Sequence, residues 1–236
     1  MSSLLITDPP YRSSQTVWDL IDNLIPRLWY AKCLLNGISK TISDFYLCKI
    51  IYKEMIHYFI IPGYGGSGVN HWQTWFEQSG VNFHRIVQKD WNNPDINDWI
   101  STLDNAITKY EPESVVLVAH SLGCLTVAEW AKRYNRNIKA ALLVAPPDTD
   151  LLHDKLQKEL FPEVPLSKLN FPSRLVASTN DPWAKIEQAE FYAQSWGSEF
   201  INIGRAGHIN DISGHYEWRE GLEILYSLAD EISYSG

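Results

Sequence analysis

The chain has 236 residues, 45% of them hydrophobic, and carries a formal net charge of −8 from 20 basic and 28 acidic side chains. That length suits one substantial core, or one domain with an appendage, and an acidic chain lacking a long basic run argues against a nucleic-acid partner. Three cysteines, Cys33, Cys48 and Cys124, lack CxxC spacing, which argues against a disulfide framework and a zinc site and fits a reducing, cytoplasmic setting.

The first 54 residues hold six basic and five acidic side chains (+1), leaving 14 and 23 (−9) for the remainder. The start has no basic segment followed by an apolar core, and the most apolar early stretch, 45–52, is short and interrupted by Lys49. Neither a signal peptide nor a membrane span is expected. Val17, Leu20, Ile21, Leu24, Ile25 and Leu28 fall at helical spacing until Pro26 kinks or ends the helix. Residues 1–54 thus read as a helical extension. It either packs on the neighbouring domain, docks a protein partner or membrane surface, or stands outside the fold.

From Met55 onward short apolar runs alternate with helical segments, the pattern of a mostly parallel sheet with helices on both faces. The strands are expected at 57–61, 83–87, 114–119, 139–144, 174–178 and 199–203, and the helices at 69–78, 96–110, 122–134, 184–196 and 217–229. Residues 146–171 read as long, Pro-bearing and irregular, a lid or pocket wall. The ten tryptophans are scattered, which favours core and pocket packing over one aromatic binding strip.

The segment VVLVAHSLG, residues 115–123, is an apolar strand running into a small-x-Ser-x-small turn and then a helix. Such a tight turn lifts the Ser121 hydroxyl above the sheet edge, and its flanking positions must be small because larger side chains collide across it. Ala119 stands where glycine is usual, a departure of one methyl group. A serine hydroxyl is a weak nucleophile at neutral pH and needs a base, itself oriented by a carboxylate. With a nucleophile elbow the chain order is Ser, acid, His. Asp181 follows strand 174–178 and His208 follows strand 199–203, so all three loops open at the carboxyl edge of the sheet, where ligands bind.

Other candidates compete for these roles. Asp148 follows the preceding strand and is the rival acid; Asp211 reads as a cap or turn residue. His120 reads as packing beside the elbow, His71 and His84 precede it, His153 lies in the irregular stretch and His215 begins a helix. Developing negative charge on an acyl oxygen needs backbone donors. Leu122 supplies one N–H, and the glycine-rich PGYGGSG, residues 62–68, supplies another from Tyr64. No GKS or GKT follows that loop and the full GxGxxG spacing is absent, which argues against phosphate-loop and dinucleotide readings.

The motifs PGYGGSGVNHWQTWFE, KDWNNPDINDWI, AHSLG, ALLVAPPD, ASTNDPW and AGHIND together make the chain from about Met55 resemble the YdeN-like serine hydrolases. The resemblance implies a three-layer α/β-hydrolase fold with a mostly parallel central sheet of about six strands. It places a catalytic triad on Ser121, Asp181 and His208, and implies ester or amide hydrolysis without metal or organic cofactor. Residues 1–54 have no counterpart in that pattern, which leaves open whether Met55 is the true start. Three functions share these residues: esterase or amidase chemistry on a small acyl substrate through a Ser121 acyl-enzyme, acyl transfer to another acceptor, and non-catalytic protein binding. An intact Ser, Asp and His set favours the first. Dehalogenase and epoxide-hydrolase relatives carry Asp at the position of Ser121.

Overall fold

The structure, a computed structural model, describes residues 55–156 and 163–231. The helical extension expected over 1–54 lies outside those residues. Six parallel strands, β1 (His57–Ile61), β2 (Phe83–Arg85), β3 (Val115–His120), β4 (Ala140–Val144), β5 (Ser173–Ala177) and β6 (Glu199–Asn202), form one sheet in the order β2-β1-β3-β4-β5-β6. β1, β3, β4 and β5 are buried along their whole length, as parallel strands covered on both faces must be, whereas β6 at the edge is exposed at both ends and half-buried between them. The helices are α1 (Trp72–Ser79), α2 (Ile96–Ile107), α3 (Leu122–Tyr134), α4 (Thr149–Leu156), α5 (Ile186–Trp196) and α6 (Arg219–Glu231). None of the described helices is long and apolar enough to cross a membrane.

Strand periodicity divides the core into two layers. Phe59, Ile61, Leu117, Ala119, Leu143 and Leu175 pack with Trp99 and Leu103 of α2, Trp130 of α3 and Trp196 of α5. The intervening residues Tyr58, Ile60, Val116, Val118, Leu142 and Val176 pack with Trp72 and Phe76 of α1 and Leu225 and Leu228 of α6. The result is three layers, helix on sheet on helix. The chain runs outward from β1 to β2 and then crosses to β3 on the other side of β1. This reversal opens a crevice beyond the carboxyl ends of β1 and β3.

Differences from the sequence expectations have local causes. β3 starts one residue late because 3₁₀-helical Pro112–Ser114 occupies Ser114, whose hydroxyl donates to Glu111 O at 2.7 Å. α1 begins at Trp72 rather than residue 69, since the His71 ring caps it by accepting from Gln73 N–H at 3.1 Å. The stretch 146–171 was expected to be irregular, and that is corrected by α4: the Asp148 carboxylate accepts from the Asp150 amide at 2.8 Å and starts a helix there. Trimming at the ends of β2 and α2 is ordinary fraying.

The tightest backbone approach lies between β1 and α3. A Cβ built on Gly123 would stand 2.3 Å from Ile61 O and 3.0 Å from Pro62 O. Gly123→Ala should therefore push α3 away from the end of β1 and lower stability by roughly 1–3 kcal/mol, as overpacked cores do. Thermal melting of the variant checks this, and an unchanged Tm would show that the helix shifts at no cost.

Candidate active site

Ser121 lies between β3 and α3 with φ 54° and ψ −125°, a conformation outside the ordinary allowed regions for a residue with a Cβ. Strain of this kind costs on the order of 1–3 kcal/mol and persists only where packing imposes it. Here the Ser121 amide donates to Val144 O at 2.9 Å, and the Cys124 amide donates to Ser121 O at 2.8 Å. Gly63 presses from the other side, where an added Cβ would stand 2.8 Å from Ser121 Cβ and 3.1 Å from Leu122 N. Leu122 is the first residue of α3, so its N–H has no acceptor within the helix. Gly66 N–H donates to Gly63 O at 3.0 Å and Gly65 N–H to Trp91 O at 2.9 Å, which folds the Gly63–Tyr64 segment over the elbow.

The structure brings Ser121, His208 and Asp181 together. Ser121 Oγ is 2.9 Å from His208 Nε2, and His208 Nδ1 is 2.9 Å from each carboxylate oxygen of Asp181. Carboxylate oxygens only accept, so the proton sits on Nδ1 and Nε2 faces the serine as an acceptor. Both side chains are almost wholly buried, with 8% of the His208 side chain and 5% of the Asp181 side chain exposed. The Trp183 amide donates to Asp181 Oδ1 at 2.8 Å and fixes the carboxylate.

Sequence reasoning missed the supports of His208. His120 Nε2–H donates to His208 O at 2.9 Å, and Trp72 Nε1–H donates to Ile209 O at 2.8 Å across 137 residues of chain. His120 is therefore a backbone clamp as well as a packing residue. Ile209 takes the left-handed φ of 49° that turns the chain between these two bonds. The loops after β5 and β6 are laced together: Ala206 N–H donates to Ser178 Oγ, and Gly207 N–H donates to Asn180 Oδ1, both at 2.9 Å. The ASTNDPW motif holds Ser178 and Asn180, and a polar pair so close before Asp181 was the available signal.

Of the rivals, Asp148 is engaged with the amides of α4, His153 is exposed, and His84 faces His57 at 3.0 Å on β1. Asp211 sits in a 3₁₀ turn capped by Asn210, and His215 is 3.2 Å from Ser213 Oγ. A cavity of about 260 Å³ opens over Ser121 and His208, and Tyr64, His71, Leu152 and Trp183 also line it. Leu152 belongs to α4, so the stretch 146–171 does supply pocket wall. Among the described residues no cluster of His, Cys, Asp and Glu fits a metal ion.

Comparison with known proteins places this geometry in context. A family model described as serine hydrolase matches residues 58–227. The YdeN protein of Bacillus subtilis is 23% identical over 181 residues, covering 72% of this chain and 92% of YdeN. The crystal structure of a YdeN-like hydrolase from Pectobacterium atrosepticum superposes with a TM-score of 0.68 at 28% identity, over 81% of this chain and 99% of that one. Est1E of Butyrivibrio proteoclasticus, solved with ferulic acid bound, shares the fold at 14% identity, with a TM-score of 0.59 over 77% of this chain and 91% of its own.

Two buried histidines of the cavity wall, His71 and His120, are both held neutral. Burial holds His71 down to about 3, with the charges of Arg85, His208 and His215 adding to the shift. His120 is pushed well below 6.5, first by burial and then by His71, His208 and His215, against the opposing pull of its bond to His208 O. In the unfolded chain both rings titrate near 6.5, so on acidification the unfolded state takes up protons first. The stability they contribute is complete above about pH 6.5 and is lost as pH falls toward the folded values. Tm should thus drop steeply below about pH 6.5. His120→Gln removes one buried ring while leaving an amide N–H for His208 O, and should flatten that drop; an identical pH slope in the variant would assign acid loss to other groups.

Proposed function

The chain belongs to the serine hydrolase family, in its YdeN-like branch of α/β-hydrolases, and from that premise we propose that it cleaves a small carboxylic ester or amide through a covalent acyl intermediate on Ser121. The observation that carries this reading is the continuous bonded chain from Ser121 Oγ through the His208 ring to Asp181, each link 2.9 Å long.

In the proposed cycle His208 Nε2 takes the Ser121 proton as Oγ attacks the substrate carbonyl. The imidazolium formed is stabilised by the Asp181 carboxylate at Nδ1. Negative charge moves to the carbonyl oxygen, which the backbone N–H groups of Leu122 and Tyr64 receive; each such donor is worth roughly 10²–10³ in rate. His208 then passes the proton to the leaving alkoxide or amine, and the acyl group stays on Ser121. A water molecule enters, gives its proton to Nε2 and attacks the acyl carbon, and collapse of the second tetrahedral intermediate returns the proton to Ser121 Oγ. Supporting these assignments are the pre-strained elbow, which holds Oγ toward the base, and Gly63, whose missing side chain lets the Tyr64 backbone reach the serine. The cavity walls Leu152 and Trp183 are apolar and favour an uncharged acyl portion.

Ser121→Ala should abolish labelling by a fluorophosphonate probe and lower ester turnover by on the order of 10⁴-fold or more, with the fold intact. Turnover equal to wild type would remove Ser121 from the mechanism.

The acid is tested by a pair of variants. Asp181→Asn keeps the size but presents an amide to Nδ1, which should cost up to ~10⁴-fold in kcat/KM. Asp148→Asn keeps a good helix cap and should change it by less than about 3-fold. The reverse ranking, with both proteins folded, would move the acid to the loop after β4.

A further inference from the structure

His71 is a histidine of the cavity wall that the proposed mechanism leaves idle. Its ring caps α1 through Nδ1, which accepts from the Gln73 amide at 3.1 Å. Accepting at Nδ1 fixes the tautomer of the neutral ring, so the remaining proton sits on Nε2. No described protein group accepts from that nitrogen, and Nε2 is also absent from the buried polar atoms left without a partner, a set that among the described residues contains only Gln88 Oε1. The open face of a ring that is only 5% exposed and lines the cavity is therefore turned to the cavity. The ring is neutral at every working pH because burial holds it down to about 3. It is braced edge-on against His120, with ring centroids 4.8 Å apart.

We propose that His71 is a substrate-binding residue whose Nε2–H donates a hydrogen bond to an uncharged acceptor oxygen on the substrate, in addition to the scissile carbonyl. The proposal rests on the hydrolase reading above and narrows its substrate class. A ligand that fills the cavity takes water away from this N–H, so it is selected for supplying an acceptor in its place. Charge decides the kind of acceptor. The one residue of the cavity lining with a full formal charge is the Asp211 carboxylate, and no Lys or Arg lines it, so an anionic acceptor meets repulsion where an ether, hydroxyl, ketone or amide oxygen does not. The substrate is thus an ester or amide carrying a second, neutral oxygen within reach of His71, rather than a plain alkyl ester.

Two isosteric pairs of substrates test this, each replacing one CH₂ by an ether oxygen: 4-nitrophenyl methoxyacetate against 4-nitrophenyl butyrate, and 2-methoxyethyl acetate against butyl acetate. The readout is the ether-to-alkyl ratio of kcat/KM, taken relative to wild type so that intrinsic reactivity cancels. Two variants separate binding from capping. His71→Asn keeps an N-cap acceptor but is too short to place a donor in the cavity; His71→Gln puts an amide N–H near the Nε2 position while weakening the cap. In His71→Asn the ether-to-alkyl ratio should fall about 10-fold for at least one pair, and His71→Gln should recover most of it despite a lower Tm. If both ratios stay at wild-type values in His71→Asn, or if Gln is no better than Asn, His71 only caps the helix and the proposal is overturned. Absence of turnover of all four esters by the wild type would instead overturn the hydrolase reading.

Discussion

The whole site depends on a steric constraint at the end of β3: Ser121 is held at a positive φ because two glycines let backbone pack against it from both sides. Gly123 places α3 against Ile61 O and Gly63 places the loop after β1 against Ser121 Cβ, both at separations that no side chain survives. The strain of the elbow is thereby spread over β1, β3 and α3, three of the most deeply buried elements of the molecule. A local relaxation of the turn would require these elements to separate, which explains how so unfavourable a dihedral pair persists.

His208, the base of the proposed mechanism, is held by a different device. His208 lies on a loop at the sheet edge, where β6 is short and partly exposed. Its position comes from hydrogen bonds reaching in from older parts of the chain: His120 and Trp72 grip consecutive carbonyls, and Ser178 and Asn180 grip the two amides just before it. Burial of His120 and His71 keeps those rings neutral, so neither opposes the charge that the proposed mechanism puts on His208. The electrostatic quiet of the pocket and the mechanical stiffness of the loop thus have the same source, a layer of aromatic rings packed under the catalytic edge.

Much of the fold was legible because parallel strands buried on both faces read as uninterrupted apolar runs: 57–61 and the helix 122–134 fall where composition alone puts them. α4 was not legible, since Pro146 and Pro147 precede it and its eight residues give little more than two turns to read. That omission had a consequence for the site. Asp148 and Asp181 both follow strands; loop position and the family motifs favour Asp181, but that the Asp148 carboxylate is engaged by the first amides of a helix could not be read from the sequence. The proximity of Ser121, Asp181 and His208 could be expected from loop placement, whereas the bond from Trp72 to Ile209 spans 137 residues and leaves no local trace. The role of Gly63 was likewise visible only as a glycine-rich loop, because close approach between β1 and the elbow is a property of strand order.

Ser121 and His208 are separated by 87 residues of chain, and the bonds from His120, Trp72 and Asn180 join the His208 loop to segments made earlier. During synthesis the nucleophile leaves the ribosome long before its partner; at about 5–20 residues per second the interval lasts several seconds or more. Throughout that time the hydroxyl has the reactivity of any other serine. On the proposed mechanism a nascent or truncated chain without His208 has little acylating power, which arrives only after the last strand of the sheet has been made.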